Sequence, residues 1–510
     1  MHLKISKSGR LMIAVVILVC LADMASYAGT NTVPKYGERE ITLTTTNKYK
    51  NPYKEVTLSA TFTGPTETIT MNGFWDGGGQ FKIRMMPTEP GTWTWKTSSN
   101  DKQLDGKTGS LTCTDSKSKG YVRVSKTHPQ RFEWCDGTPF FLMGDTTWHV
   151  WYGIPFSDGT FQRYVKDRVA QHFNSLQGVV HADGQNEGGG VCTEKGASGR
   201  WWNPDTLNPK YFQWVDKKVD YMNSKGMVAI LFFAWGNEGY KDFNREQWLR
   251  YEKYMVARYA AKNVFWIIVG EYEEAGKPVA TWTEYMDVVA QNDPYGHPIS
   301  MHCVNTTDAL GNVTSQSFVS HQLKGTPEWL RQSIEKSRTF GKPVVNLEYG
   351  YESLSDAHRA YETLDELRKD HYAIVLAGGY GVYGNGLPGL KTFHRGDFNP
   401  KGTNTPGAKQ MKILYEFFAG TNFQKLEPAQ YLVDAGICAA CPNTEYIVQL
   451  LTGGTVTVDL TQAAGDFQAD WFDPRTGKRT TIGTVTDGAK RSFTAPDKND
   501  WILHIRNNGG

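Results

Sequence analysis

The sequence lacks an excess of charge of either sign. Its 510 residues carry a formal net charge of only +2, because cationic and anionic side chains nearly balance. Surfaces that bind nucleic acid or an anionic membrane need a strong positive excess, so neither partner is expected. Long apolar runs are also missing after Leu21, so no membrane-spanning helix is predicted in the mature chain.

Cysteine is scarce, and its spacing does not favour a metal centre or a redox enzyme. The chain has seven cysteines and one Cys-x-x-Cys pair, Cys438 and Cys441. A zinc site needs a second such pair or a histidine pair, and a thioredoxin-like site needs a surrounding βαβ pattern. No metal or cofactor is therefore predicted. The pair could form a local disulfide in an oxidising compartment, and Cys303, in an apolar run, is predicted to be a buried free thiol.

The first residues have the pattern of an export signal. Three cations precede the apolar stretch Leu11–Leu21, which is too short to span a bilayer, and Ser26-Tyr-Ala28 fits a small-x-small cleavage site. We expect a signal peptide over residues 1–28 and a periplasmic or extracellular mature protein. A lipid anchor at Cys20 is disfavoured because Val19 stands where a lipobox has a small residue.

The hydrophobic period divides the rest of the chain. Residues 33–115 alternate with period two between glycine and proline turns, which predicts an N-terminal Ig-like β-sandwich. Residues 116–130 are polar and read as a linker, and residues 421–510 alternate again, which predicts a C-terminal β-sandwich. The three units are expected to have separate apolar cores.

Between residues 131 and 420, apolar runs of strand length alternate with amphipathic stretches of helix length. This pattern predicts a (β/α)8 TIM barrel. The alternative, an open doubly wound sheet, lacks a Gly-x-Gly-x-x-Gly turn after the first strand. The link between strands five and six is predicted to be a loop. The predicted strands are Pro139–Gly144, Ser175–His181, Met227–Trp235, Val264–Gly270, Ile299–Val304, Phe318–Leu323, Pro343–Leu347 and Ala373–Ala377, and the predicted helices are Thr160–His172, Lys210–Lys225, Arg245–Ala261, Thr281–Gln291, Pro327–Phe340, Ser355–Lys369 and Gly407–Phe418.

Two predicted strands end in a glutamate followed by an aromatic residue, at Glu271 and at Glu348. The carboxyl end of a barrel strand is where active sites lie, and two carboxylates from different strands suit glycoside hydrolysis. By analogy with barrels that use strands four and seven, Glu271 is predicted as acid/base and Glu348 as nucleophile of a retaining reaction. Either glutamate could instead close a structural ion pair. Rival carboxylates are Glu238, Glu273 and Glu274.

Other polar and aromatic side chains follow the predicted strands at the same end. Aromatic residues make up 13% of the chain, and their flat apolar faces with polar tips suit sugar rings. A histidine at a strand end can equally be a satisfied structural residue. Tyr349 or Tyr351 is expected to hydrogen-bond the nucleophile. The predicted substrate-binding residues are Asp145, Trp148, His181, Trp235, His302, His321, Tyr349, Tyr351 and Tyr383.

Several motifs are similar to those of one enzyme family. They are Gly144-Asp-Thr-Thr-Trp148, Trp266-Ile-Ile-Val-Gly-Glu271, Lys342-Pro-Val-Val-Asn-Leu-Glu348 and the glycine-rich segment after Gly378. Over roughly Arg131 to Gly420 the chain resembles the apiosidase-like barrel glycoside hydrolases, related to glycoside hydrolase family 140. One departure is Glu271, where that family commonly has an aspartate. The segments Phe74-Trp-Asp-Gly-Gly and Trp471-Phe-Asp-Pro-Arg-Thr-Gly477 resemble the β-sandwich found before such barrels and the collagen-binding-type β domain found after them.

The resemblance implies an enzyme that hydrolyses a glycosidic bond in a polysaccharide or an oligosaccharide, and the amino-terminal segment predicts that this enzyme is exported. Two non-enzymatic alternatives remain open from the sequence. A carbohydrate-binding protein could bind sugars at the same aromatic end of the barrel without catalysing a reaction. An adhesin could use the flanking β-sandwiches to bind another protein. The sequence determines neither the sugar and its linkage nor the oligomeric state.

Overall fold

Alternating apolar and polar residues at the start of the described chain form two packed, mainly antiparallel sheets. The computed structural model describes residues 31–181, 187–195, 202–236, 243–352, 363–385, 403–486 and 488–507. The first elements are β1 Thr32–Pro34, β2 Arg39–Thr44, α1 Pro52–Glu55, β3 Leu58–Thr63, β4 Thr68–Asn72, β5 Phe74–Gly77, β6 Gln80–Met85, β7 Gly91–Ser99 and β8 Thr108–Thr114. The sheet orders are β1-β8-β7-β3-β4 and β2-β6-β5.

The segment 116–130, predicted as a linker, contains a strand. β9 (Val122–Val124) pairs with β10 (Phe132–Trp134), which also pairs with β11 (Pro139–Phe140). The Val122 N–H donates to Oδ1 of Asn263 at 2.9 Å. Because Asn263 directly precedes a barrel strand, this small sheet covers the amino-terminal end of the barrel.

Eight parallel strands form a nearly closed barrel, which confirms the predicted fold class. Their order is β16-β15-β14-β13-β12-β20-β18-β17, and β19 pairs with β20. Between β16 and β17 only the isolated bridge Thr306–His321 is found in the described residues. The bounds are β12 Gly144–Thr146, β13 Ser175–Val179, β14 Val228–Trp235, β15 Val264–Gly270, β16 Ile299–Ser300, β17 Val319–His321, β18 Val344–Asn346, β19 Tyr351–Glu352 and β20 Tyr380–Asn385.

Helices connect these strands and surround the barrel, and Asn or Thr side chains cap most of their amino-terminal ends. The link between β16 and β17 contains only the 3-10 turn Asp308–Leu310, as predicted. None of the described helices has the length and apolarity that a membrane crossing requires. The helices are α2 Thr160–Ala170, α3 Pro209–Asn223, α4 Arg245–Tyr259, α5 Val279–Asn292, α6 Pro327–Arg338, α7 Leu364–Leu376 and α8 Pro406–Ala419, with a 3-10 turn at Tyr272–Ala275.

The predicted eighth strand, Ala373–Ala377, is wrong. These residues form the last turn of α7, and the strand is the following glycine-rich segment, β20. A short apolar run is compatible with a buried helix or a buried strand. Gly378, with φ of 81°, follows the Ala377 cap and ends the helix in the left-handed conformation that glycine favours. The amino-terminal half of the predicted helix Ser355–Lys369 lies outside the described residues.

The carboxyl-terminal region is again all β. One sheet has the order β21-β22-β23-β28-β25-β26, and β24 pairs with β27. The bounds are β21 Glu427–Pro428, β22 Ile437–Cys441, β23 Glu445–Leu450, β24 Thr455–Asp459, β25 Asp466–Phe472, β26 Arg479–Thr486, β27 Lys490–Thr494 and β28 Trp501–Asn507, with a 3-10 turn at Gln430–Leu432.

The local disulfide between Cys438 and Cys441 is not formed, and both thiols are free. Both residues lie in β22. Side chains three positions apart in a strand point to opposite faces, and about 10 Å of extended chain separates them, which is too far for a disulfide. Cys303 is a buried free thiol, as predicted.

The expectation of three separate cores is wrong for the N-terminal sheets and the barrel, although the carboxyl-terminal β region does contain a cluster of its own. One apolar cluster runs from the N-terminal sheets into the barrel, and a second joins the barrel to residues of β22, β23, β25 and β28. Buried ion pairs reinforce the first junction. Arg84 contacts Asp216 at 2.6 Å, and Arg258 contacts both Asp216 at 2.7 Å and Asp76 at 2.9 Å. The N-terminal sheets are therefore packed firmly on the barrel wall.

Candidate active site

Glu271 directly follows β15 in a strained backbone conformation. Its φ of 46° and ψ of 54° are left-handed, which is uncommon for a residue with a Cβ atom. Its Oε2 accepts a hydrogen bond from Trp235 Nε1 at 3.1 Å, and its Oε1 accepts one from Gln322 Nε2 at 3.2 Å. Such strain persists where surrounding contacts enforce it and is common at active sites.

Glu348 follows β18 and is buried, with 7% of its surface exposed. The Tyr351 hydroxyl donates to its Oε1 at 2.7 Å, and the Trp148 indole N–H donates to that hydroxyl at 3.1 Å. Tyr351 is thus the tyrosine that contacts the predicted nucleophile. This chain of donors, from the first barrel strand to the seventh, holds the carboxylate in one orientation.

His302 lies between the two glutamates and is fully buried. Its Nδ1 faces the backbone N–H of Glu271 at 3.4 Å, and its Nε2 lies 3.5 Å from Oε2 of Glu348. When Nδ1 accepts that N–H, the proton of the neutral ring is on Nε2 and faces Glu348. His302 therefore links the backbone position of one carboxylate to the side-chain position of the other.

Aromatic rings form the wall beside these groups. The rings of Trp148 and Trp235 meet edge to face at 5.0 Å, and each lies within 5.5 Å of the His302 ring. A Cβ atom on Gly270 would come within 2.2 Å of the Trp235 ring, so the indole packs directly on that glycine's backbone. This close approach fixes Trp235, which in turn donates to Glu271.

The electrostatic environment favours the protonated form of Glu271. Burial raises the pKa of its carboxyl above the ordinary value, and the negative charge of Glu348 adds to the rise. His302 and Gln322 oppose this shift without reversing it. A carboxyl group that keeps its proton beside an ionised partner has the property that a general acid needs.

Two predicted binding residues point away from the barrel interior. Asp145 is paired with Arg168 of α2 at 2.7 Å, and the Tyr349 hydroxyl contacts His371 of α7 at 2.8 Å. Asp145 lies in β12, where successive side chains point to opposite faces, so it faces the helices while Thr146 faces inward. Tyr349 follows β18, and its contact with His371 shows that it also faces the helices. Both make structural contacts between the barrel wall and its helices.

Three further predicted residues also lie away from the two glutamates. His181 packs against Trp202 at 4.2 Å between ring centroids, and burial lowers its pKa to about 3. His321 contacts Ser337 of α6 at 2.8 Å, and burial lowers its pKa to about 4. The Tyr383 hydroxyl donates to Glu352 of β19, whose carboxylate also accepts the Gly407 N–H at the start of α8. Both histidines are neutral at physiological pH.

Gln322 was not predicted, although it contacts Glu271. It is the residue directly after β17, and that position alone could have suggested it. Among the rival carboxylates, Glu273 accepts the backbone N–H of Val304 at 3.0 Å, Glu274 is exposed, and Glu238 lies outside the described residues. The structure thus brings together Glu271 and Glu348 with Trp148, Trp235, His302, Tyr351 and Gln322.

A nearly closed parallel barrel with carboxylates after strands four and seven is an arrangement that glycoside hydrolysis can use. Residues 127–425 match the family profile described as "Apiosidase-like, catalytic domain". The chain therefore belongs to the apiosidase-like family. This membership identifies an enzyme rather than a non-catalytic binding protein or an adhesin.

The flanking regions match two further profiles. Residues 32–100 match a domain of unknown function, and residues 429–506 match a "putative collagen-binding domain of a collagenase". These matches place the family resemblance on all three parts of the chain. No curated protein matches the chain significantly.

Solved structures share the fold. A "putative glycoside hydrolase" from Bacteroides vulgatus is 23% identical with a TM-score of 0.81, and the alignment covers 93% of this chain and 99% of that one. A family 5 glycoside hydrolase from the same organism is 21% identical with a TM-score of 0.64, covering 77% of this chain and 94% of that one. The first of these alignments extends over the barrel and both flanking regions.

Proposed function

We propose that the enzyme hydrolyses a glycosidic bond in a polysaccharide or oligosaccharide with retention of configuration. Glu348 would attack the anomeric carbon while the glycosidic C–O bond breaks and Glu271 gives its proton to the leaving oxygen. Glu271 would then take a proton from water, whose oxygen attacks the same carbon and releases Glu348. Atoms and charges balance without a metal or a cofactor.

The observation that carries this division of roles is the difference between the two carboxyl environments. The raised pKa of Glu271 suits a proton donor. Glu348 accepts from the Tyr351 hydroxyl at 2.7 Å, and the Trp148 indole donates to that hydroxyl, so its carboxylate is held in place for attack. An ionised carboxylate beside a protonated one is the starting state of the retaining reaction.

The first test separates retention from inversion. Proton NMR during hydrolysis of an active aryl glycoside should show the product first in the anomeric configuration of the substrate. Glu348→Ala should lose nearly all turnover, and added azide should then give a glycosyl azide of inverted configuration. If the first product of the wild-type enzyme has the opposite configuration, Glu348 is a general base and the retaining mechanism is wrong.

Export is a separate part of the proposal, and it rests on residues 1–28, which lie outside the described residues. The charged and apolar segments there support cleavage after Ala28. The intact mass of the protein recovered from the periplasm or medium should lack these residues. A mass that corresponds to a lipid-modified Cys20 terminus would replace this proposal with membrane anchoring.

A further inference from the structure

Exposed large apolar side chains are concentrated at the carboxyl-terminal end of the barrel. Five are found in the described residues, and three of them follow β15, β16 and β17: Val279 (44% exposed), Val304 (40%) and Trp329 (44%). The other two, Tyr431 and Ile482, lie in the carboxyl-terminal β region. Single exposed apolar residues are ordinary, but a group beside an active site indicates a binding surface.

Trp329 is held as a fixed platform. It is the third residue of α6, and the capping side chain of Thr326 accepts its backbone N–H at 3.3 Å. A Cβ atom on Gly325 would lie 2.5 Å from Cε3 of the indole, so the ring packs against a bare glycine backbone. With 44% of its surface exposed, the side chain is still accessible to a ligand. A ring immobilised in this way loses little conformational entropy when a ligand stacks on it.

Hydrogen bonds connect the loop before Trp329 to Glu271. Gln322, in the loop that leads into α6, donates to Glu271 at 3.2 Å. The Gln322 N–H donates to the carbonyl of Asn305 at 2.8 Å, which joins this loop to the one that carries Val304. Only the short segment 323–326 separates Gln322 from α6. Val304 and Trp329 therefore lie on the two connections that follow β16 and β17, and hydrogen bonds join both connections to the segment that carries Glu271.

We propose that Trp329, flanked by Val304, forms a sugar-binding subsite beyond the point of cleavage. The ligand is a pyranose ring within a chain of several linked sugars, whose C–H face stacks on the indole while its hydroxyl edges stay in water. The inference rests on the proposed function and makes it more specific. The enzyme is built for an extended glycan, and a single sugar on a small leaving group uses only part of the site.

Binding provides the first test. Wild-type protein, Trp329→Ala and the control Tyr431→Ala would be compared by affinity gel electrophoresis in pectin, arabinoxylan, galactomannan and alginate. Tyr431 is a suitable control because it is 78% exposed and lies in the carboxyl-terminal β region. We expect retardation in at least one polysaccharide, a loss of affinity of about tenfold in Trp329→Ala, and no change in the control. Trp329→Tyr should restore part of the affinity.

Kinetics provides the second test. On oligosaccharides from the polysaccharide that is bound, Trp329→Ala should lower kcat/KM about tenfold through KM. On the matching p-nitrophenyl monoglycoside it should stay within about twofold of wild type.

The outcomes separate the two proposals. Equal losses on long and short substrates, equal retardation of Trp329→Ala and wild type, or no retardation of the wild type in any gel would each overturn the subsite. Hydrolysis of the monoglycoside would still support the proposed function in all three cases. If Trp329→Ala changes the sedimentation coefficient of the protein but neither its polysaccharide binding nor its kinetics, Trp329 serves self-association and the subsite is wrong.

Discussion

Replacement of Glu271 by alanine tests the proposed general acid most directly. A well-placed general acid contributes about 10²- to 10⁴-fold to a rate, or about 2.7–5.5 kcal/mol at 1.36 kcal/mol for each factor of ten. The full loss is expected only when the leaving group needs a proton. With a dinitrophenyl glycoside, whose leaving group departs as a stable anion, the loss in the glycosylation step should be about tenfold or less.

The fold should tolerate this change. Alanine keeps the Cβ atom, so the left-handed backbone at this position is strained to a similar degree in both proteins. The variant loses the hydrogen bonds from Trp235 and Gln322, each worth about 0.5–1.5 kcal/mol, but it also removes a half-buried carboxyl that is repelled by Glu348. The melting temperature should therefore change by only a few degrees.

The assay compares kcat/KM for aryl glycosides over a wide range of leaving-group pKa, with Glu273→Ala as the matched control. Glu273 lies two residues away, is more exposed than Glu271 and accepts the backbone N–H of Val304, but its carboxylate has no contact with Glu348 in the described structure. We expect a steep leaving-group dependence in Glu271→Ala and near wild-type behaviour in the control. Azide should rescue the first variant and give a glycosyl azide of retained configuration. Uniform losses across leaving groups, or the larger loss in Glu273→Ala, would refute the assignment.

Two other changes test the surrounding structure. Trp235→Phe removes a hydrogen-bond donor that stabilises the ionised form of Glu271, so the pKa of that carboxyl should rise. The alkaline limb of the pH profile of kcat/KM should then move to higher pH. An unchanged alkaline limb would contradict the role given to this hydrogen bond. Asp216→Asn breaks a buried ion pair and should lower the free energy of unfolding by about 3–5 kcal/mol in urea titrations. Arg245→Ala, at an exposed pair, is the control and should leave that free energy almost unchanged. Burial alone would raise the pKa of Asp216, but its two arginine partners hold it well below the usual range. Its stabilising effect is thus complete above about pH 4 and is lost as the pH falls, so wild-type stability should fall more steeply in acid than that of the variant.

Local sequence patterns were sufficient for the fold class and for the candidate carboxylates. Unbroken apolar runs identify strands buried on both faces, and Glu271 and Glu348 stand out because a charged group gains nothing from such a strand. The run Ala373–Ala377 was wrongly predicted to be a strand because a buried helix has the same local composition. Gly378, which ends α7, was the better indication of where the helix stops.

Only the tertiary structure decided which side chains meet. Strand alternation explains why Asp145 faces the helices, but the contact of Gln322 with Glu271 joins residues 51 positions apart and leaves no local pattern. The position of His302 between the two carboxylates likewise depends on how β15, β16 and β18 are placed around the barrel. Hydrophobic periodicity reports what each segment buries, whereas these contacts depend on barrel closure and on the packing of loops from different strands. The sequence by itself therefore determined the scaffold and the two candidate carboxylates, and the packing of distant segments decided which side chains contact and orient those carboxylates.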